Sequence, residues 1–336
     1  MRLLRYIAQR LLLIIPQVLV LTFAAFVIIR LLPGDPVLYV LGPLAPQEAI
    51  DALTHKLGLD KPIIVQFWVY LQGLVRGDWG ISTFTQNPVL FDIVKRFPAT
   101  FELITFSMFF AILIGVPLGM LVAIRPRSLP DRLVFSYGMI AGSIPEFWFG
   151  LLLIFLFYFV VHLFSAPMGR LDVGISPPDT ITGMYVVDSL LRGNLLALKS
   201  SISHLVLPVL TLGLIWAGIA MKMTRQTMVM ILDSEYIAYA RACGLPTLTV
   251  AWHAVRASLP PVVTLLGLVY SFGLSGAVLV EKIIGWGGLG QYSVEVILTA
   301  DYFGITGVVL VMSTFSLLIY LLIDLSYFAI DPRVKV

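Results

Sequence analysis

Six long apolar runs constrain the fold of this chain more than any other feature of its sequence. They span residues 11–32, 99–124, 133–163, 204–223, 262–280 and 305–330. Each holds about 20 residues or more, and an α-helix of about 20 apolar residues crosses the hydrocarbon core of a bilayer. Apolar residues make up 59% of the 336 residues, whereas soluble domains contain about 45–50%. We therefore predict an all-α, polytopic membrane protein with six transmembrane helices.

The first apolar run has two competing interpretations. A cleaved signal peptide has an apolar region of about 7–15 residues followed by a small-residue cleavage site. Here the run is longer, and it continues into Pro33-Gly34-Asp35-Pro36 rather than into such a site. We predict that residues 1–32 form the N-terminus and the first transmembrane helix.

The rest of the chain divides at Pro98. Residues 33–98 are polar, punctuated by proline and glycine, and too long for a tight connection, which predicts a folded excursion on the external side. Within it, short helices are expected at Gln47–Leu57 and Ile63–Val75. The excursion is either a cap over the membrane helices or a docking surface for a substrate-binding protein. Residues 99–336 then form the core transmembrane domain of five helices.

Charged residues orient the chain in the membrane. The outer basic residues are spread through long loops, whereas those of the inner segments near the run ends lie in short stretches: Arg2, Arg5, Arg10, Arg125, Arg127, Arg132, Lys222, Arg225, Arg241, Arg256, Arg333 and Lys335. Lysine and arginine are enriched in short cytoplasmic loops, so both termini are predicted to be cytoplasmic. Cys243 is the single cysteine, which excludes an intrachain disulfide, and no cluster of cysteine and histidine indicates a metal site or a cofactor.

A polar, amphipathic segment, residues 233–261, lies between the fourth and fifth runs. Its first helix is predicted to begin near Glu235, behind Asp233 or Ser234 as a capping residue, because their side-chain oxygens accept from free N–H groups of the first turn. Gly244 can adopt the left-handed conformation that ends a helix. This helix should have about nine residues.

A second helix is predicted in the same segment. It has four apolar residues at helical spacing on one face: Leu248, Trp252, Val255 and Leu259. The fifth transmembrane helix is then expected to start at Pro260-Pro261, because proline is tolerated in the first turn of a helix.

The 233–261 segment resembles the cytoplasmic "EAA" loop of bacterial ABC-importer permeases of the dipeptide/oligopeptide/nickel branch, which reads [DE]-Y-[IV]-x-x-A-R-A-x-G-L. The matching residues are Glu235, Tyr236, Ile237, Ala240, Arg241, Ala242, Gly244 and Leu245. One position departs from the wider family, where a glutamate precedes the glycine by six residues, because Ala238 occupies it here. Further stretches are similar to the same family: LLPGDP (31–36), LGLDKP (57–62), RGDWGIS (76–82) and DPR (331–333).

This resemblance implies a type I ABC importer permease fold and a coupling role for part of the segment. The residues expected to couple the chain to ATP hydrolysis are Glu235, Tyr236, Ala240, Arg241, Gly244 and Leu245. The implied partners are a paralogous permease subunit in a heterodimer, two cytoplasmic ATP-binding subunits, an extracytoplasmic substrate-binding protein and membrane lipid, without nucleic acid. The implied location is the inner membrane. Di- or oligopeptides are the implied substrates, with nickel chelates, opines and oligosaccharides as alternatives.

Glu146 is the candidate residue of the translocation pathway. It lies inside the third run, next to Pro145, which predicts a kink in that helix. An ionised carboxylate near the middle of a bilayer costs about 2.5–3.5 kcal/mol on insertion scales and normally faces protein or water. Glu146 therefore either lines a pathway or forms a hydrogen bond between helices.

Two other classes of function compete with a permease subunit. A secondary transporter should show internal repeats and several membrane-embedded ion ligands, and neither is evident. An intramembrane enzyme would need a nucleophile and a base at membrane depth, but the four histidines fall in loops or at run ends. The chain also lacks G-x-x-x-x-G-K-[ST], so ATP hydrolysis is assigned to other subunits. The GWGGLG stretch at 285–290 has no preceding strand and is not a nucleotide site.

Overall fold

The structure is a computed structural model that describes residues 2–31, 37, 41, 42, 44–165 and 167–330. The DPR stretch and all but the first residue of the LLPGDP stretch lie outside the described residues. The principal helices are α1 (Arg2–Leu31), α2 (Gln47–Leu57), α3 (Ile63–Val75), α4 (Val89–Ala123), α5 (Leu129–Ala141), α6 (Glu146–Leu153), α7 (Tyr185–Arg192), α8 (Leu195–Leu232), α9 (Glu235–Ala242), α10 (Thr247–Ile284), α11 (Leu289–Leu298) and α12 (Tyr302–Ile330). A π-helix, Ile154–Val160, continues α6.

The prediction of an all-α chain is confirmed. In the described part of the chain, extended pairing is confined to one isolated bridge between Ile81 and Pro88. Five helices are long and apolar enough to cross a membrane, and the bent pair Leu129–Ala141 and Glu146–Val160 brings the number to six if it counts as one span.

The third span departs from its prediction as a single kinked helix. The two parts of the pair are bent by 106°, with a complete break between Ala141 and Glu146. Pro145 is in an extended conformation, with φ −63° and ψ 129°. Proline also disfavours the helical conformation for the residue before it. Pro145 therefore starts a new helix instead of bending an existing one.

The prediction that the fifth span starts at Pro260-Pro261 is wrong, because both prolines lie inside the continuous helix α10. The Ser258 hydroxyl donates to the Val255 carbonyl (2.7 Å), and the Thr264 hydroxyl donates to the Pro260 carbonyl (2.9 Å). The two prolines remove the N–H donors of the Arg256 and Ala257 carbonyls, and membrane helices tolerate such a loss where neighbouring groups compensate for it.

Two other spans are longer than their apolar runs. Helix α4 begins at Val89 and helix α8 begins at Leu195, both well before the runs that predicted them. Asn194 caps α8, because its side-chain oxygen accepts from the Ala197 N–H at 3.0 Å. Helix α8 therefore starts at a capping signal in polar sequence that hydropathy does not register.

Contacts divide the chain into two compact units. Unit 1 comprises residues 1–98 and 287–317, and unit 2 comprises residues 99–286 and 318–336. In unit 1, the predicted short helices α2 and α3 are found with the predicted bounds. Helix α3 packs on α1, where the Phe67 ring meets Phe23 and Phe26 with centroid distances of 4.9 and 5.3 Å.

Helix α8 is the central helix of unit 2, because its apolar stretch is the most buried of the five long spans. Glycines let its neighbours come close. A Cβ added at Gly115 would lie 2.8 Å from the Ala217 carbonyl oxygen, and one at Gly119 would lie 2.6 Å from that of Met221. Small residues at such contacts allow helix backbones to approach in a membrane, where packing drives association.

Gly138 on α5 tests this close packing. A Cβ there would lie 2.6 Å from the Lys222 Cβ and 2.7 Å from the Gly218 carbonyl oxygen. We expect Gly138→Ala to lower the free energy of unfolding by about 1–3 kcal/mol through overpacking, measured by thermal unfolding in detergent.

Gly142→Ala is the matched control for this prediction. Its added Cβ meets its nearest atom at 3.5 Å, an ordinary contact, so we expect almost no change. Equal stability of the two variants would show that the α5–α8 contact does not depend on glycine.

Candidate functional site

Helix α9 and the turn after it form the first half of the 233–261 segment. The Leu245 N–H donates to the Ala240 carbonyl (3.3 Å), and the Gly244 N–H donates to the Arg241 carbonyl (3.0 Å). These two bonds make a Schellman motif, which requires a left-handed residue at the glycine. Gly244 has φ +76°, as predicted. A short, closed turn therefore joins α9 to α10.

The N-terminal cap of α9 differs from its prediction. Ser234 occupies the capping position, but no side chain accepts a hydrogen bond from the first turn of the helix. The Ser234 hydroxyl instead donates to the Ile231 carbonyl at 2.5 Å. It therefore satisfies the end of α8 rather than the start of α9.

One buried side chain fixes α9 to the membrane helices. Ile237 is fully buried in a cluster with Ala123, Met228, Val250 and Ala254. These residues come from the ends of α4 and α8 and from the start of α10. Helix α9 is therefore packed on three long helices.

The residues predicted to couple to ATP hydrolysis lie together on this element. Ala240 is half-buried and packs against the Ile237 cluster. The other five are solvent-exposed: Glu235, Tyr236, Arg241, Gly244 and Leu245.

The apolar face predicted for the second helix is packed only in part: Val255 lies against the Ile237 cluster, and Leu259 is half-buried. Leu248 is 83% exposed and Trp252 is 63% exposed. The buried residues of this stretch are Val250, Ala254 and Ser258, which lie on the neighbouring stripe. Helix α10 therefore turns its largest apolar side chains away from its own chain.

Glu146 forms a hydrogen bond between helices. Its Oε1 atom accepts from the Trp216 indole N–H of α8 at 2.8 Å. A Cβ added at Gly276 of α10 would overlap the Glu146 carboxylate, so that glycine makes the space it occupies. The Trp216 ring in turn lies against Gly273, where an added Cβ would be 2.5 Å from the ring. Glu146 thus holds the start of α6 against both α8 and α10.

Sequence reasoning missed several buried carboxylates in unit 2, among them Glu102 and Glu281. The Glu102 side chain accepts from Arg170 at 2.6 Å and from the Val186 N–H at 2.7 Å. The Glu281 side chain accepts from the Thr100 hydroxyl at 2.5 Å. Glu102 lies near the start of its apolar run and Glu281 just after the end of its run, where a carboxylate is unremarkable in sequence. Both are at most 1% exposed, and Glu102 holds the loop before α7 against α4.

Asp188 organises that same loop. It accepts from the backbone N–H groups of Ile181, Thr182 and Gly183 and from the Thr182 hydroxyl, at 2.7–3.2 Å. Desolvation alone would raise the pKa of Asp188, but these hydrogen bonds to the carboxylate hold the pKa below its usual range. The loop is therefore built around an ionised side chain.

No group of three metal-ligating side chains lies within the described residues. The candidate site consists of contact surfaces and helix junctions. Its exposed part is the 233–261 segment, and its buried part is the Glu146 junction.

Comparison with known proteins places this arrangement in a family. Residues 115–336 match the family described as "Binding-protein-dependent transport system inner membrane component". The chain belongs to this family. Residues 3–105 match the N-terminal region described for the membrane component of the same kind of system. The permease therefore has the type I ABC permease fold and is a multi-pass inner-membrane protein.

Relatives of this permease match along nearly its whole length. A probable D,D-dipeptide transport system permease protein of Escherichia coli is 40% identical over 326 residues, 96% of this chain and 94% of the relative. The dipeptide transport system permease protein of E. coli is 36% identical, and the di/tripeptide transport system permease protein of Pseudomonas aeruginosa is 38% identical, each over 338 residues and 99% of both chains. Such permeases work with separate ATPase and binding-protein partners, so this chain is not itself the ATPase.

A double-mutant cycle tests the junction between Glu146 and Trp216. Glu146→Ala and Trp216→Phe should each reduce stability in detergent, and their effects should be non-additive by about 1 kcal/mol or more, because the second change removes a bond already lost. Tyr137→Phe is the control, since its hydroxyl donates to the Leu214 carbonyl of the same helix at 2.8 Å. Glu146→Ala and Tyr137→Phe should be additive. Additive effects in both pairs would show that the indole bond does not stabilise the junction.

Proposed function

We propose that this permease is one half of a heterodimeric pathway that imports di- or oligopeptides. A paralogous permease completes the pathway, two cytoplasmic ATP-binding subunits drive it, and an extracytoplasmic binding protein delivers the substrate. The names of the relatives, which are permease proteins of dipeptide and di/tripeptide systems, support the substrate class. The observation that carries the mechanism is the exposed α9 element packed on three long helices.

In this proposal the 233–261 segment is cytoplasmic. The Ile237 cluster brings together the ends of α4 and α8 and the start of α10. The chain near these helix ends carries Arg125, Arg127, Arg225 and Arg256. A concentration of arginine at one end of several spans is typical of the cytoplasmic side. Both termini are then cytoplasmic, and residues 33–98 are external.

The proposed coupling surface is formed by Glu235, Tyr236, Ala240, Arg241, Gly244 and Leu245. Leu248 and Trp252 continue it with two exposed apolar side chains. An exposed apolar patch with polar residues around it is typical of a protein contact site. The ATP-binding subunit is the partner that this surface fits in an importer.

Motion of α9 has a direct mechanical route to Glu146. The turn at Gly244 joins α9 to α10, and Ile237 packs α9 on α8 and α10. Those two helices carry Trp216 and Gly276, which hold the Glu146 carboxylate. ATP-driven movement of α9 would therefore act on the break between α5 and α6, a two-state element biased from a distant site. We assign Glu146 to this junction beside the pathway.

Nickel chelates, opines and oligosaccharides are the alternative substrates, because related permeases serve them and binding proteins supply much of the recognition. Proteoliposomes that contain the permease with its partner subunits separate these cases. With the matching binding protein outside and ATP inside, we expect a labelled dipeptide to accumulate. If a nickel chelate, an opine or an oligosaccharide accumulates instead, the peptide assignment is refuted, but the role as an importer permease still holds.

Gly244→Val should abolish most ATP-dependent uptake in this system without preventing assembly. A Cβ at Gly244 meets nothing within 4 Å, so the substitution changes backbone preference and not packing. The left-handed conformation costs an ordinary residue about 1–2 kcal/mol, and a β-branched residue resists it further.

Gly244→Asn is the matched control, because asparagine adopts the left-handed conformation more readily. It should retain most of the uptake. Normal substrate-stimulated ATPase activity and uptake in an assembled Gly244→Val complex would contradict a coupling role for the turn.

Cys243 provides a natural probe of sidedness. It is the single cysteine of the chain and is exposed beside Gly244. We expect a membrane-impermeant maleimide to label it only from the cytoplasmic face of oriented vesicles, and more slowly when the ATP-binding subunits are bound. Cys243→Ser controls for background labelling. Labelling from the external face would contradict the proposed topology. Equal labelling rates with and without bound subunits would show that α9 is not part of the coupling surface.

A further inference from the structure

Unit 1 contains a cavity of about 530 Å³, a volume within the range of small-molecule sites. Its walls come from the last turns of α1, from α3 and the chain that follows it, and from the first turn of α12. Phe26 and Arg30 contribute from α1, Tyr70 from α3, and Tyr302 from α12. The cavity therefore lies where the ends of two long helices meet a short one.

The position of the cavity along these helices corresponds to a membrane surface. The apolar span of α1 ends at Leu31, and that of α12 begins at Tyr302. Residues at the ends of apolar spans lie at the level of the lipid headgroups, where tyrosine is enriched. A ligand in this cavity would therefore occupy the same depth as a phospholipid headgroup.

Arg30 supplies a positioned positive charge. Its Nε atom donates to the Gln66 Oε1 atom at 2.7 Å, and its guanidinium carbon lies 3.4 Å from the centroid of the Phe26 ring. Among the described residues, no carboxylate lies within ion-pair distance of Arg30. The two contacts orient the guanidinium while its terminal nitrogens remain able to bind an anion, and a phosphate accepts two parallel bonds from such a group.

Two further hydroxyl groups of the cavity are buried, and neither makes a well-aligned hydrogen bond to a described residue. They belong to Tyr70, which is 9% exposed, and to Thr83. Burial raises the pKa of the Tyr70 phenol, and the nearby Thr306 hydroxyl and Arg30 oppose this only in part. Tyr70 is therefore neutral, and its hydroxyl group can donate a hydrogen bond to a ligand in the cavity.

One carboxylate, Asp78, also lines the cavity, but it is exposed and accepts from the Gly80 N–H at 3.1 Å. Arg30 can bind the phosphate of an anionic or a zwitterionic headgroup, and Asp78 matches the amine of the latter. Beside it, the α1 span is only 17% buried, and Val20, Ile28 and Leu31 are all more than half exposed. The acyl chains of a lipid bound in the cavity can pack on this exposed apolar surface of α1.

We propose that this cavity binds a membrane phospholipid. Arg30 holds its phosphate through both terminal nitrogens, Tyr70 donates a further hydrogen bond, and the acyl chains lie along α1. The lipid would fix α1 and α3 to the start of α12 within unit 1. This site is separate from the Glu146 junction and from the 233–261 segment.

Native mass spectrometry of the full chain with its partner subunits tests the proposal. After delipidation, the complex is titrated with phosphatidylglycerol, phosphatidylethanolamine, diacylglycerol or inorganic phosphate, and the bound ligand is counted. We expect one tightly bound molecule of either phospholipid. Diacylglycerol, which lacks the phosphate, and inorganic phosphate, which lacks the chains, should both bind at least about tenfold more weakly.

Variants assign the tight site to the cavity. Arg30→Gln should weaken phospholipid binding by about tenfold or more, since it removes charge-assisted bonds. Tyr70→Phe keeps the ring packed and should weaken it by about threefold. Arg192→Gln, an exposed arginine of α7 outside the cavity, should bind like the wild type.

Three results would overturn the proposal. Equal binding of diacylglycerol would show that no phosphate is recognised. Saturation by inorganic phosphate at the same concentration would make the cavity a free-anion site. Finally, the lipid would bind elsewhere if Tyr70→Phe bound it like the wild type and Arg30→Gln either did the same or failed to assemble.

Discussion

Close contact between helix backbones along α8 is the interaction on which unit 2 depends. Gly115, Gly119 and Gly138 bring α4 and α5 to within van der Waals distance of α8, and the gap at each would not hold a methyl group. In a membrane the hydrophobic effect does not draw helices together, so such packing has to provide the association energy. Helix α8 consequently acts as the rigid member against which the broken third span is held.

Rigidity of α8 gives the two halves of the candidate site a common frame. At one place α8 carries Trp216, which binds Glu146, and farther along it carries Met228, which packs on Ile237 of α9. Helix α10 also contacts both places: Gly276 lies against the Glu146 carboxylate, and Val250 packs in the Ile237 cluster. In the proposed coupling mechanism, a displacement of α9 would act on Glu146 through both α8 and α10.

Local sequence signals predicted the short elements well and the burial of side chains poorly. Helices α2 and α3 and the turn at Gly244 follow from proline and glycine placement, which acts on the nearest residues alone. Trp252 shows why burial could not be predicted. In a membrane protein an apolar face can pack on its own chain, on lipid or on a partner subunit, and the spacing of apolar residues does not distinguish these cases. Glu102 shows another limit, since its partner Arg170 is 68 residues away.

The π-helix at Ile154–Val160 gives α6 a property that its neighbours lack. Its hydrogen bonds close a ring one residue larger than those of an α-helix, so the segment contains one residue more than α-helical bonding would need. Return to α-helical bonding would advance the chain beyond it by one register, which is a rotation of about 100° and a shift of about 1.5 Å. Phe155 and Phe159 stand outward on this segment. The π-helical bonding of this segment thus sets the direction in which its aromatic side chains leave α6.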